Sequence, residues 1–202
     1  MKTFFKYCIF LTLMPLYATE TMLVDLEKIP HIILDIKYAT KDNFTHEVVY
    51  PAAKAYLVKE AAEAMRKVQE ELNQEGLGLK IYDGYRPLSV QEKFWQLVPD
   101  ERYVADPKKG SRHNRGCAVD CTLICLKDRK ELEMPTPFDD FTEKAHRDYM
   151  DIDESVKNNR EKLEIIMKKH GFTGLPTEWW HFDYEGWEKY PLLNKNFDEL
   201  ES

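Results

Sequence analysis

One acid set in an apolar strand constrains this chain more than any other feature. Residues 117–124 read Cys-Ala-Val-Asp-Cys-Thr-Leu-Ile, and the acid is Asp120. The alternation suits a strand over residues 118–126, with Val119, Cys121, Leu123 and Cys125 on one face. A carboxylate in such surroundings is costly unless it is paired or bound to a metal. The fold therefore has to deliver partners to Asp120 from elsewhere in the chain.

Two segments offer them. SRHNRG (111–116) places His113 in a loop seven residues before Asp120, and Gly116 lets the chain turn sharply enough to bring the imidazole back over the strand. EWWHF (178–182) holds Glu178 and His181 on either side of two tryptophans. Residues three apart on a strand point to opposite faces. If both serve one site, the chain must bend at 177–179, and Pro176 just upstream fits such a bend.

A catalytic zinc typically takes three protein ligands, often imidazole or carboxylate, and keeps a fourth position for water. His113, Asp120 and His181 make such a set, with Glu178 as a spare carboxylate beside it. Each has a plainer reading alone: His113 as a loop histidine, Glu178 as an exposed acid flanking an aromatic strand. The combination carries the signal. The chain has no HExxH helix, which excludes the zinc proteases built on one. Closed structural zinc sites usually have four cysteine-rich ligands, and only three candidates are evident here. Of the four cysteines, Cys8 falls in a leader-like segment expected to be removed; Cys117, Cys121 and Cys125 are then odd in number and packed into nine residues, so they read as small buried hydrophobes rather than as disulfide partners or thiolate ligands.

The remaining pattern predicts a single α+β domain, an antiparallel sheet flanked by helices with the metal site on the sheet. A short strand is expected over 31–38, followed by a loop over 39–50. An apolar stripe predicts the main packing helix over 52–73, stopped by Gly76. A strand over 77–82 runs into the turn Asp83-Gly84-Tyr85-Arg86-Pro87. Ser89 and Glu92 form the pattern of a capping box for a second helix ending near Val98. A third helix is expected over 155–170 and a last strand over 179–184. Residues 100–110 and 127–140 read as loops.

Residues 1–18 differ from the rest: Lys2 and Lys6 precede an apolar stretch that ends at Ala18, the layout of a signal peptide. The stretch is too short for a comfortable bilayer span and contains Pro15. We expect cleavage, leaving residues 19–202 as the working domain, secreted across the inner membrane to the periplasm with no stable membrane insertion. An uncleaved anchor would also put the domain outside. Losing the leader removes two lysines and no acid, taking the formal charge from −7 to about −9. With no basic cluster, a nucleic-acid partner is not expected.

Five segments together resemble the D-alanyl-D-alanine dipeptidases of the vancomycin-resistance type, within a wider group of zinc D-Ala-D-Ala peptidases. They are DIKYATKDNFT (35–45), YDGYRP (82–87), SRHNRGCAVD (111–120), PFDDF (137–141) and EWWHF (178–182). The resemblance implies one Zn²⁺ held by His113, Asp120 and His181, with Glu178 as catalytic base and Arg86 facing the reacting centre. It also implies that Asp139 holds the substrate ammonium and that Tyr38, Asp83 and Ser111 line the site. Zinc itself comes from the resemblance, since two imidazoles and a carboxylate accept other divalent ions too.

Asn114 and Cys117 stand where serine is common in the family, and Pro135 stands where glycine is expected. Residues 46–56 do not follow the family, which leaves Tyr50 unassigned. The expected substrate is a small D-amino-acid dipeptide. The alternatives are a carboxypeptidase or endopeptidase acting on peptidoglycan stem peptides, and a non-catalytic zinc-binding module.

Overall fold

The computed structural model describes residues 22–200, so the expected signal peptide lies outside the described residues. In chain order the regular elements are β1 (Leu23–Asp25), β2 (Ile33–Leu34), β3 (Tyr56–Val58), α1 (Lys59–Gln74), β4 (Leu77–Asp83), α2 (Leu88–Leu97), β5 (Ala118–Cys125), α3 (Glu154–Lys169), β6 (Phe172–Gly174) and β7 (His181–Tyr184). Five strands form one sheet in the order β2-β4-β5-β7-β6, while β1 and β3 pair separately. Among the described residues no helix is long and apolar enough to cross a membrane.

The α+β class holds, but the sheet is mixed rather than antiparallel. β2 runs parallel to β4, with Ile33 opposite Lys80 and Leu34 opposite Ile81. The chain between them crosses over through β3 and α1, and a crossover returns a strand in the same direction. The other pairings in the sheet are antiparallel. The expected strand over 31–38 shrinks to β2, because a 3₁₀ turn takes Lys37–Ala39.

The main helix starts later than its apolar stripe suggests. Tyr56, Leu57 and Val58 are good strand formers and pair with Asp25, Val24 and Leu23, so α1 begins at Lys59. The expected capping box is not formed. Pro87 occupies the cap position of α2, and Asn194 Oδ1 accepts the Ser89 N–H at 2.9 Å. The last strand starts at His181, and residues 179–180 form a bend before it.

α1 packs on β3 and β4, and α3 on β6 and β5. Met65, Val68, Leu72, Leu163 and Met167 join Leu79, Ile81, Cys121 and Leu123 in one core. Each such fully buried side chain contributes about 1.5–3 kcal/mol. The odd-numbered face of β5 is thus consumed by the core, and alternation leaves Asp120 on the other face.

Candidate metal centre

Asp120 lies in the middle of a row that crosses three strands. It pairs with Asp83 of β4 on one side and with His181 of β7 on the other. The register of β4 against β5 shifts between Ile81 and Asp83, so an extra residue there sets Asp83, not Tyr82, opposite Asp120. His113 arrives from the 3₁₀ turn His113–Arg115, which ends at Gly116 in the left-handed conformation (φ 67°). A side chain at Gly116 would also collide with Leu23, whose Cδ2 is 2.6 Å from the Cβ position.

The donor atoms of the three residues converge. His181 Nδ1 is 3.0 Å from Asp120 Oδ1 and 3.1 Å from His113 Nε2. His113 Nε2 is 3.4 Å from Asp120 Oδ1, and all three side chains are buried. Among the described residues this is the one His/Cys/Asp/Glu group compact enough to hold a metal ion.

The far nitrogen of each ring is also occupied. His113 Nδ1 lies 2.7 Å from the Gly84 carbonyl, and His181 Nε2 lies 2.9 Å from Asp183 Oδ1. Both partners accept, so each of these ring nitrogens carries the proton. In a neutral ring the opposite nitrogen then presents its lone pair to the shared point, as a metal ligand must. The residues fit a divalent cation on the chemistry of this donor set.

Glu178 Oε2 sits 3.8 Å from His181 Nδ1. Glu178 lies between a turn at 176–177 and a bend at 179–180, and the bend separates it from β7, as required for both side chains to reach one site. Burial pushes the Glu178 carboxyl up to about 8, with the nearby Asp120 charge adding to the effect and His181 and Arg86 opposing it. Asp120 behaves oppositely. Burial disfavours its charge, yet His113 and His181 hold it well below the usual carboxylate range.

Arg86 is pinned on several sides. Its Nε and one terminal nitrogen donate to Asp83 Oδ2 at 3.2 and 2.8 Å, and the other terminal nitrogen donates to Gln91 Oε1 at 2.8 Å. The guanidinium carbon lies 4.8 Å from the Phe94 ring centre and 5.5 Å from that of Tyr38. Asp83 is fully buried behind it and also accepts the Tyr50 hydroxyl at 2.8 Å. Tyr50 and Asp83 therefore back Arg86 rather than face the cleft.

That cleft, about 100 Å³, is bordered by Tyr38, Arg86, Ser111, Asp139 and Glu178 together with the three donor residues. Asp139 takes a left-handed backbone conformation (φ 60°), uncommon for an aspartate. Its Oδ1 accepts the Tyr38 hydroxyl at 3.1 Å, while its Oδ2 is buried without a partner. Burial and the Asp120 and Glu178 charges raise its carboxyl well above the ordinary value. Ser111 Oγ accepts the His113 N–H at 3.2 Å and so steadies the ligand loop.

Asn114 also has a local task. Its amide accepts the Ser111 N–H at 2.7 Å and donates to the Arg86 carbonyl at 2.9 Å, tying the His113 turn to the Arg86 turn. Cys117 and Cys121 are buried free thiols and Cys125 is partly buried. Burial pushes the Cys117 thiol up to about 12, which suits the apolar reading. Asp183, Gln91 and Phe94 were not singled out in the sequence. Asp183 was within reach, because residues two apart on a strand share a face.

A family profile described as D-ala-D-ala dipeptidase, Peptidase_M15, matches residues 19–201. The D-alanyl-D-alanine dipeptidase of Escherichia coli K12 is 39% identical over 185 residues, which cover 89% of this chain and 93% of the relative. The enzymes of the same name from Enterococcus faecium and Enterococcus faecalis V583 are each 33% identical, covering 86% and 81% of this chain and 95% and 90% of their own lengths. The chain is a peptidase. It belongs to the Peptidase_M15 family of D-Ala-D-Ala dipeptidases.

Proposed function

We propose that this chain hydrolyses the free dipeptide D-Ala-D-Ala to D-alanine, using one zinc ion held by His113, Asp120 and His181. The observation that carries the dipeptide reading is Asp139. Its buried, unpartnered Oδ2 borders the same small cleft as the donor set, so it offers a seat for a substrate ammonium. A longer peptide joined through its amine brings no ammonium and leaves that carboxylate unpaired, a penalty that excludes it. The names of the relatives support the same substrate.

A divalent cation at the donor set supplies Lewis acidity, polarising a peptide carbonyl and making a water molecule more acidic. Glu178 takes the proton of the attacking water and returns it to the leaving amine. Its raised affinity for a proton, from burial beside Asp120, suits both halves of that task. Arg86 presents a fixed positive charge at the cleft wall where the carbonyl oxygen gains negative charge. Loss of one such preorganised donor typically costs on the order of 10²–10³ in rate. Asp83, Gln91, Tyr38 and Phe94 keep that guanidinium from moving. Tyr38 and Ser111 complete the substrate-facing wall. The leader-like layout of residues 1–18 supports action in the periplasm.

The test is an assay of purified protein on D-Ala-D-Ala and on a stem pentapeptide, each with and without chelator. Chelator-sensitive release of D-alanine from the free dipeptide, with little from the pentapeptide, is expected. No activity on the free dipeptide would overturn the proposal, and cleavage of the pentapeptide alone would replace it with a wall-trimming carboxypeptidase.

A further inference from the structure

The bend that brings Glu178 and His181 to one site is not an ordinary hairpin, since the link between β6 and β7 begins with Leu175 and Pro176 and carries the two bulky tryptophans. Its own backbone bonds are few: Glu178 N–H to the Leu175 carbonyl at 3.3 Å, and Leu175 N–H to the His181 carbonyl at 3.1 Å. What closes it is Arg147, from the loop before α3.

The Arg147 Nε donates to the Leu175 carbonyl at 2.9 Å, and one terminal nitrogen donates to both the Trp179 carbonyl at 3.0 Å and the His181 carbonyl at 2.8 Å. The other terminal nitrogen reaches Glu164 Oε2 on α3 at 3.3 Å, and the guanidinium carbon sits 4.4 Å from the Phe182 ring centre. The local backbone reinforces the grip. Arg147 N–H donates to the Pro176 carbonyl at 2.9 Å, and the Ala145 carbonyl accepts the Trp179 N–H at 3.1 Å. Room for the guanidinium is left by Gly174, where an added Cβ would lie 2.2 Å from the Arg147 Cζ.

We infer that Arg147 is a positioning residue that fixes Glu178 and His181 in one frame by bracing the carbonyls of residues 175, 179 and 181 from behind. It does not border the cleft. A planar fork satisfies three carbonyls in fixed directions, whereas a lysine ammonium is a single point of charge on a flexible stem. Burying the guanidinium is costly, and its one acidic partner among the described residues, Glu164, is half exposed at 42%. The carbonyl bonds are therefore the feature that only arginine supplies.

This inference rests on the proposed role of Glu178, and the experiment separates the two. In the full chain, Arg147→Lys, Gly174→Ala and Glu178→Gln are compared with the parent for zinc affinity of the apoprotein, by competition with a chromogenic chelator. The kcat and KM on D-Ala-D-Ala are measured alongside. Gly174→Ala displaces the guanidinium without removing it, so it serves if substitution of the arginine impairs folding.

For folded Arg147→Lys and Gly174→Ala we expect zinc affinity and kcat each to fall about 10- to 100-fold, the range typical of groups that orient metal ligands. KM should change less than about threefold, as befits a residue away from the substrate. Folded variants with zinc affinity and kcat both within about twofold of the parent would overturn the inference and leave Arg147 a purely structural residue. Hydrolysis by Glu178→Gln at the parent rate would instead sink the assignment of the base, and the zinc measurement would still judge Arg147.

Discussion

Asp183 Oδ1 lies 2.9 Å from His181 Nε2, and the two residues stand two apart on the same face of β7. Asp183 thereby selects the tautomer of His181, directing Nδ1 toward Asp120 and His113. Asp183→Ala frees the ring to rotate and removes the acceptor that fixes its proton. The expected result is a loss of about 10- to 100-fold in zinc affinity, read by equilibrium competition on the apoprotein. An unchanged affinity would show that packing alone orients the ring.

Metal uptake should be pH-dependent with a definite sign. Burial disfavours the charged form of His181, but Asp183 and Asp120 outweigh it and raise the imidazole to about 10, so the metal-free ring holds a proton. A metal ligand must be neutral, and binding has to expel that proton. Zinc affinity is therefore expected to rise as pH increases from about 6 to about 8, with proton release visible by calorimetry in buffers of different ionisation enthalpy. A flat affinity over that interval counts against the protonated ring.

The role proposed for Glu178 sets an expectation for the pH profile of hydrolysis. A base works only when ionised, so kcat/KM should fall as pH drops through its pKa. Burial first, then Asp120, raise the carboxyl to about 8 in the metal-free site. A bound cation pulls it down again. The midpoint of the acid limb is expected between the ordinary glutamate value of about 4.3 and that upper bound. Glu178→Gln should lose on the order of 10²–10⁴ in kcat while still binding zinc.

Asp139 should discriminate free from blocked amines. Asp139→Asn would remove the charge-assisted bond proposed for the substrate ammonium, and kcat/KM for D-Ala-D-Ala is expected to fall about 10- to 100-fold. The parent should reject N-acetyl-D-Ala-D-Ala, and the variant should discriminate far less between the two. Equal losses on both substrates would remove Asp139 from ammonium recognition.

The convergence of His113, Asp120 and His181 was legible because its signals are local. Asp120 interrupts an apolar run, Gly116 marks a reversal, and the spacing of Glu178 and His181 demands the bend now seen between turn and strand. The parallel pairing of β2 was not legible, because two residues carry no periodicity and their partner lies across a crossover. The same holds for β3, whose three residues continue the apolar stripe of α1 and change state only by pairing with Leu23–Asp25. Ser89 and Glu92 had a cap pattern, but Asn194, distant in sequence, supplies the contact. Arg147 gave no sequence signal, since the groups it braces in the bend are backbone carbonyls and carry no residue identity.

The register shift before Asp83 has a consequence for how this site tolerates change. Side chains along a strand alternate, so the same sequence paired in plain register, with no extra residue accommodated at this point, would set Tyr82 opposite Asp120 and turn Asp83 away from Arg86. That dependence is on backbone register, not on chemistry at any one position. The anchor of Arg86 is thus a property of how two strands are aligned, which no single side chain encodes.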